Sequence, residues 1–170
     1  IDSIQFQMLD QPYETIERWQ YTTHDLEAMT ILNNDIYVFT KDWSDLNTRV
    51  YKIPNAPGIY PLRPIATLQI DGLVTGATNS PEGDIILCGY SPTLAPFVAR
   101  IAMENGVPKI KSKRKISIPF GMPSQIEGIT FYGMIDGIPT YYLTSELYSH
   151  RIAGNKISFP ASLYRLQWNE

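Results

Sequence analysis

Three segments of this 170-residue chain can be laid over one another at intervals of about fifty residues, and that repeat restricts the fold more than any other feature. The first begins Asp25-Leu26-Glu27-Ala28-Met29, the second Val74-Thr75-Gly76-Ala77-Thr78, and the third Gln125-Ile126-Glu127-Gly128-Ile129. Aligning Ala28, Ala77 and Gly128 gives spacings of 49 and 51 residues. Each start leads into a short apolar strand, a turn, a second strand, and a third that ends in Tyr51-Lys52-Ile53, Ala99-Arg100-Ile101 or Tyr164-Arg165-Leu166. A period of ~40–50 residues with about four strands per repeat is the pattern of a β-propeller blade. Composition agrees: 11 tyrosines and many Thr and Ile favour strands, while 13 prolines and 11 glycines supply turns. No long stretch keeps a helical period, so the expected fold is all-β.

The strands of a blade run a, b, c, d outward from a central channel. The first blade is expected over 25–70, with strand a at 27–32, a turn at Asn33-Asn34-Asp35, strand b at 36–40 and strand c at 49–53. The proline-rich stretch 54–64 reads as the c–d connection and 65–70 as strand d. The second blade is expected over 74–118, with strand d at 115–118 after a turn at Glu104-Asn105-Gly106. The third covers 126–168 and has strands a, b and c only, with a long b–c excursion over 145–161. Residues 4–9 alternate apolar and polar side chains as a half-buried strand does, and they stand where the outer strand of a preceding blade belongs. The chain therefore reads as d, abcd, abcd, abc: about three blades. Such an arc is expected either to be part of a longer propeller or to join a second copy head to tail in a six-bladed ring. Self-association, or further blades, is the expected partnership, because open blade faces and strand edges invite it.

Charge excludes little but points away from nucleic acid. The formal net charge is −3. The basic run Lys109-Ile110-Lys111-Ser112-Lys113-Arg114-Lys115 is read as an outer strand protected against edge-to-edge pairing rather than as a nucleic-acid patch. The single cysteine, Cys88, lies in an apolar run and reads as a core thiol. No stretch is apolar and long enough for a membrane-spanning helix. The chain starts at Ile1, which suggests processing, so an export signal removed upstream is compatible with the sequence.

In a blade, the loop entering strand a and the b–c loop lie on the same face of the disc. That geometry gathers Asp25, Glu27, Thr75, Gln125 and Glu127 around the channel mouth, with Lys41, Asp42, Trp43, Tyr90, Ser145 and Glu146 beside them from the b–c loops. The candidate ligand-binding set is Asp25, Glu27, Lys41, Trp43, Tyr90, Gln125, Glu127 and Glu146. An aromatic next to carboxylates in a concave rim suits a small molecule or a glycan. Glu27 and Glu127 recur at the same blade position. They could contribute oxygens to a Ca²⁺ site, or fasten neighbouring blades by accepting backbone N–H groups. Thr75 at the matching place in the second blade interrupts a carboxylate ring. His150, with Ser145, Glu146 and Ser149 nearby, has no Gly-x-Ser-x-Gly elbow to support a nucleophile. Asp45 and Arg49 are expected to pair across a turn.

Three runs carry a family resemblance. They are Thr23-His24-Asp25-Leu26-Glu27-Ala28-Met29, Asp35-Ile36-Tyr37-Val38-Phe39-Thr40-Lys41-Asp42-Trp43, and Thr48-Arg49-Val50-Tyr51-Lys52-Ile53-Pro54. With Gly72 to Ala77 and Gln125 to Ile129 they resemble exported β-propeller proteins of unknown function from Bacteroidetes-type bacteria. The resemblance implies a secreted, periplasmic or cell-surface location and additional upstream blades. It implies no catalytic residues. A looser likeness to phytase-like and esterase-like propellers rests on the Asp-Leu-Glu-Ala element. The leading expectation is thus a non-enzymatic binding or interaction scaffold without a cofactor. The alternative is a calcium-dependent hydrolase with its site at the channel mouth.

Overall fold

The computed structural model describes residues 2–12, 22–118, 123–152 and 155–168. The described residues are all-β, with no helix. Three antiparallel meanders dominate. The first is β2 (Asp25–Leu32), β3 (Asp35–Lys41), β4 (Thr48–Pro54) and β6 (Ala66–Leu68); the second is β7 (Leu73–Asn79), β8 (Ile85–Tyr90), β9 (Pro96–Glu104) and β10 (Val107–Lys115). The third has three strands, β11 (Ile126–Ile135), β12 (Ile138–Ser145) and β15 (Ser162–Gln167). Their first strands stand next to one another in the order β2, β7, β11. Successive meanders packed by their inner strands make a propeller-like arrangement, in which each meander takes the place of a blade.

Turn chemistry explains the hairpins. Asn33 and Asn34 both have positive φ, at 51° and 66°, and Asn105-Gly106 and Asp136-Gly137 repeat the pattern. Two successive left-handed residues match the twist of the flanking strands, so each pair closes a tight hairpin.

Core packing lies between blades. Ala28, Phe39, Val50 and Leu68 of the first blade meet Val74, Ile85, Leu87 and Phe97 of the second. Cys88 and Val98 of the second meet Ile126 and Leu143 of the third. Polar staples join the inner strands as well. The Thr30 hydroxyl donates to Asn79 Oδ1 at 2.9 Å, and the Phe131 N–H donates to Thr78 Oγ1 at 3.1 Å. The Thr75 hydroxyl donates to the carbonyl of Ile126 in the next blade.

Strand pairing defines equivalent positions across the repeat. Ala28, Phe39 and Val50 lie opposite one another; so do Gly76, Cys88 and Val98, and Gly128, Thr144 and Leu163. Just before each of these rungs the inner strand carries a β-bulge, at Glu27, Thr75 and Glu127. The structure therefore corrects the alignment by one residue: Ala28 matches Gly76, not Ala77, and the spacings are 48 and 52. Close approach is the reason. A Cβ on Gly76 would stand 3.1 Å from Gly128 Cα and from the Ile129 nitrogen, so the backbones of two blades nearly touch there.

Three further expectations change. The c–d connection of the first blade contains a strand, β5 (Gly58–Leu62), paired in parallel with β1 (Ile4–Met8). The N-terminal strand thus finds its partner in this connection and does not complete the third blade. Together β1 and β5 cover Val38, Tyr51 and Ile53 on the outward side of the first blade. Pro61 is tolerated inside β5 because the pair has free edges. The fourth strand of the second blade is β10, which begins at once after the Asn105-Gly106 turn; residues 116–118 lie beyond it. The long b–c excursion carries its own hairpin, β13 (Tyr148–Ile152) with β14 (Asn155–Phe159).

The basic run occupies β10 on the edge of the second blade, with three of its lysines engaged. Lys109 pairs with Glu104 at 2.6 Å, Lys111 lies 3.6 Å from Asp84, and Lys113 donates to the Asp71 carbonyl at 3.1 Å. Cys88 is buried, which pushes its thiol up to about 12.

Candidate functional site

The bulges at the starts of the three inner strands build the site. In a regular strand, residues alternate between faces, and an inserted residue is released from that alternation and re-aimed. Glu27, Thr75 and Glu127 are those inserted residues, one per blade. Two residues beyond the Phe39, Cys88 and Thr144 rung, at the tips of the second strands, stand Lys41, Tyr90 and Glu146. The repeat therefore presents two tiers of three side chains, and sequence variation among the blades decides their chemistry.

Lys41 is the hub. Its ammonium lies 3.8 Å from Glu27 of the first blade and 3.8 Å from Glu127 of the third. The rings of Trp43 and Tyr90 lie 5.1 and 5.4 Å from the same nitrogen, close enough for cation–π attraction. Gln125 donates through Nε2 to the Tyr90 hydroxyl at 3.4 Å. Burial disfavours the charge on Lys41, but Tyr90, Glu127 and Glu27 outweigh it and hold its pKa above the usual value. Burial pushes Glu127 up, with Lys41 opposing and Glu146 and Glu27 adding. Glu27 is likewise raised, by burial first, against Lys41 and with a further push from the hydrogen-bonded Asp25. Tyr90 is raised by burial and by Glu127.

Seven of the eight candidate residues thus fall into one network: Asp25, Glu27, Lys41, Trp43, Tyr90, Gln125 and Glu127. Glu146 joins through its charge and through its backbone N–H, which donates to the Gln125 carbonyl at 3.1 Å. Glu27 and Glu127 face a lysine ammonium where a Ca²⁺ ion would sit, and a site with that occupant is a poor fit for a cation. Among the described residues no three His, Cys, Asp or Glu side chains are grouped to hold a metal. The fastening of the second blade to the third falls to Thr75 rather than to a glutamate.

Sequence reasoning missed the support beneath Trp43. Asp42 is fully buried and accepts from the Ser44 and Asp45 backbone N–H groups, both at 3.0 Å, which fixes the turn carrying Trp43. Arg49 pairs with Asp42 at 2.7 Å, so the expected Asp45 partnership is replaced. Behind it, Asp10 accepts from the Tyr51 hydroxyl at 2.9 Å and contacts His24 Nε2 at 3.2 Å. Burial pushes the Asp10 carboxyl up, but these hydrogen bonds outweigh it and hold it below its ordinary value. The missed signal was the apolar–polar switch at Thr40-Lys41-Asp42, where a strand ends in three buried polar residues. His150 stacks on Tyr148 in the excursion hairpin, with ring centroids 6.3 Å apart.

No protein-family model matches the chain, and no curated protein matches it. Two solved structures are similar in part. Luciferin-regenerating enzyme aligns over 71% of this chain and 37% of its own, with 18% identity and a TM-score of 0.49. Saccharomyces cerevisiae Sqt1 aligns over 85% of this chain and 37% of its own, with 12% identity and a TM-score of 0.45. The chain therefore spans little more than a third of either relative.

Proposed function

We propose that this chain is an arc of a β-propeller, exported like the proteins its sequence resembles, and that it works as a binding scaffold rather than as a calcium-dependent hydrolase. The observation that carries this reading is the Lys41 ammonium, held 3.8 Å from carboxylates of two different blades. A fixed internal cation meets the need that calcium would otherwise meet. Around it, Asp25, Glu27, Glu127 and Glu146 leave an excess of acid beside the Trp43 and Tyr90 rings. That combination suits a small neutral molecule or a glycan, whose hydroxyls would donate to the Asp25 and Glu146 carboxylates and whose C–H face would pack on the Trp43 ring.

Equivalent positions support a larger ring. Val50 and Val98, each covered by the following blade, are 0% and 2% exposed, whereas Leu163 at the same place in the third blade is 66% exposed. On the other side Met29 is 61% exposed. Leu163 and Met29 leave apolar side chains open at the two ends of the arc, and a second copy meeting this one head to tail, packing beside the β1–β5 pair that covers Val38, Tyr51 and Ile53, would complete six blades.

Calcium separates the two functional readings. Thermal unfolding of the protein is measured with millimolar calcium and with a chelator. An unchanged Tm is expected; a rise of several degrees with calcium that Glu27→Gln and Glu127→Gln remove would restore the hydrolase.

A further inference from the structure

The closed interfaces of the repeat show what its open end is built to receive. At each of them, the apolar residue just before a bulge shares a core with a third-strand residue of the blade before it: Val74 with Val50, and Ile126 with Val98. The matching residues at the two ends of the arc are Leu26 and Leu163. Among the described residues neither meets a further blade. Leu26 instead borders an open cavity of about 580 Å³, with Met29 and Val38 of the first blade and Asp2, Ile4 and Phe6 at the start of the chain. Phe6 is 40% exposed there and Met29 61%, so the wall is apolar and uncovered.

Backbone pairing points the same way. In the first and second blades a fourth strand, β6 or β10, runs antiparallel to the third. In the third blade the outer edge of β15 carries no strand among the described residues, and β1 is paired in a sheet with β5 alone. Asp2, Ile4 and Phe6 alternate along the chain and all face the cavity. Leu163 and Arg165 likewise share the exposed face of β15. Antiparallel pairing with Leu163 opposite Phe6 sets residues 162–167 against 7–2. It also stands Arg165 opposite Ile4 and diagonal to Asp2, an exposed residue of opposite charge within reach of a long side chain.

We propose that the cavity beside β1 receives the third blade of a second copy, with its Leu163 seated on Leu26 and β1 serving as its fourth strand. This rests on the six-bladed reading above and specifies the seam: each copy lends β1 to the other, so two identical contacts close the pair by twofold symmetry. The test oxidises the Phe6→Cys/Leu163→Cys protein mildly and follows covalent dimers on non-reducing gels. Each single variant and the Ile59→Cys/Leu163→Cys protein serve as controls, Ile59 being 77% exposed on β5. Cys88 stays out of the exchange, because it is buried and its thiol is pushed up to about 12. Opposed Cβ atoms of paired strands, ~4.5–5.5 Å apart, come close to disulfide range. Dimers linked 6 to 163, identified by peptide mass mapping, are expected to form at least about tenfold faster than dimers of any control, because association raises the local thiol concentration. A wild-type protein that stays monomeric would overturn this proposal and the ring reading together and leave the cavity to another blade of a longer chain. A wild type that associates without preferential 6-to-163 linkage would overturn the lent strand alone. Equally fast dimers of the Leu163→Cys variant by itself would do the same, by showing that third blades meet face to face.

Discussion

The second and third blades use the same rungs for opposite purposes. In the second, Cys88 and Val98 are sealed against Ile126 and Leu143. In the third, Thr144 and Leu163 occupy the same places and are exposed. The pattern of side chains alone does not distinguish a covered face from an open one, because valine and leucine serve either. What differs is the neighbour. The comparison teaches that the blade is a unit with two adhesive sides, and that the stability of each depends on what is stacked against it.

An aspartate at each of the two matched positions gives the sharpest test of that difference. Val98→Asp buries an unpaired charge between blades and is expected to cost more than about 4 kcal/mol, a large share of the ~5–15 kcal/mol that keeps a domain folded. Leu163→Asp should change the unfolding free energy of the monomer by less than about 0.5 kcal/mol. In light scattering the same variant should behave as a smaller species than the wild type, which is expected to self-associate. Equal destabilisation by both in denaturant titrations would show that the face of the third blade is covered as that of the second is, and a monodisperse wild-type monomer would remove the argument for a larger ring.

Glycine substitutions probe the same contrast at smaller scale. At Gly76 an added methyl would press on the backbone of the third blade, and Gly76→Ala is expected to cost about 1–3 kcal/mol. At Gly128 the methyl would meet only the Thr144 hydroxyl, at 2.8 Å, on an exposed side chain that can rotate away. Gly128→Ala should therefore be neutral or stabilise by up to about 1 kcal/mol by restricting the unfolded chain. Chemical denaturation of the pair checks both signs.

A pH-dependent effect concerns the polar tie that reaches past the second blade. Lys41→Met removes the cation that offsets Glu27 and Glu127, and at neutral pH a loss of about 1–2 kcal/mol is expected, below a fully buried pair because the carboxylates are partly solvated. The pH dependence has a definite sign. A carboxyl whose folded pKa is raised contributes stability that is present below its unfolded pKa, near 4.3, and is lost as pH rises through the folded value. Without Lys41 both carboxyls rise further, so the deficit of the variant should shrink as pH falls from 7 toward 4. A deficit independent of pH would mean that Lys41 acts through packing on Trp43 and Tyr90 alone.

Much of this was legible in the residues. The hairpins followed from Asn33-Asn34 and Asp136-Gly137, and the site face followed from the rule that b–c loops and the starts of inner strands share one side. The rest required long-range information. The β1–β5 pair joins segments about fifty residues apart in parallel, and its second strand carries Pro61, so no local pattern announced it. Alignment by residue likeness matched Ala28 to Ala77, because two small residues stand side by side at 76 and 77 and only the bulge decides between them. The replacement of Asp45 by Asp42 as partner of Arg49 depended on which way the turn folds back. The ammonium between the glutamates was hidden for a similar reason: Lys41 is 14 residues from Glu27 but 86 from Glu127, and only the stacking of three blades brings them together.

The bulge shared by Glu27, Thr75 and Glu127 has a consequence for how such a protein can change. Because the inserted residue is freed from the strand's alternation, its side chain differs from blade to blade, a carboxylate at Glu27 and Glu127 and a hydroxyl at Thr75. Each blade thus offers one socket at the same height, and selectivity becomes a short word spelled by one letter per blade. A library varying Glu27 and Glu127 would sample new site chemistry, while Thr75 has to stay because its hydroxyl fastens the second blade to the third.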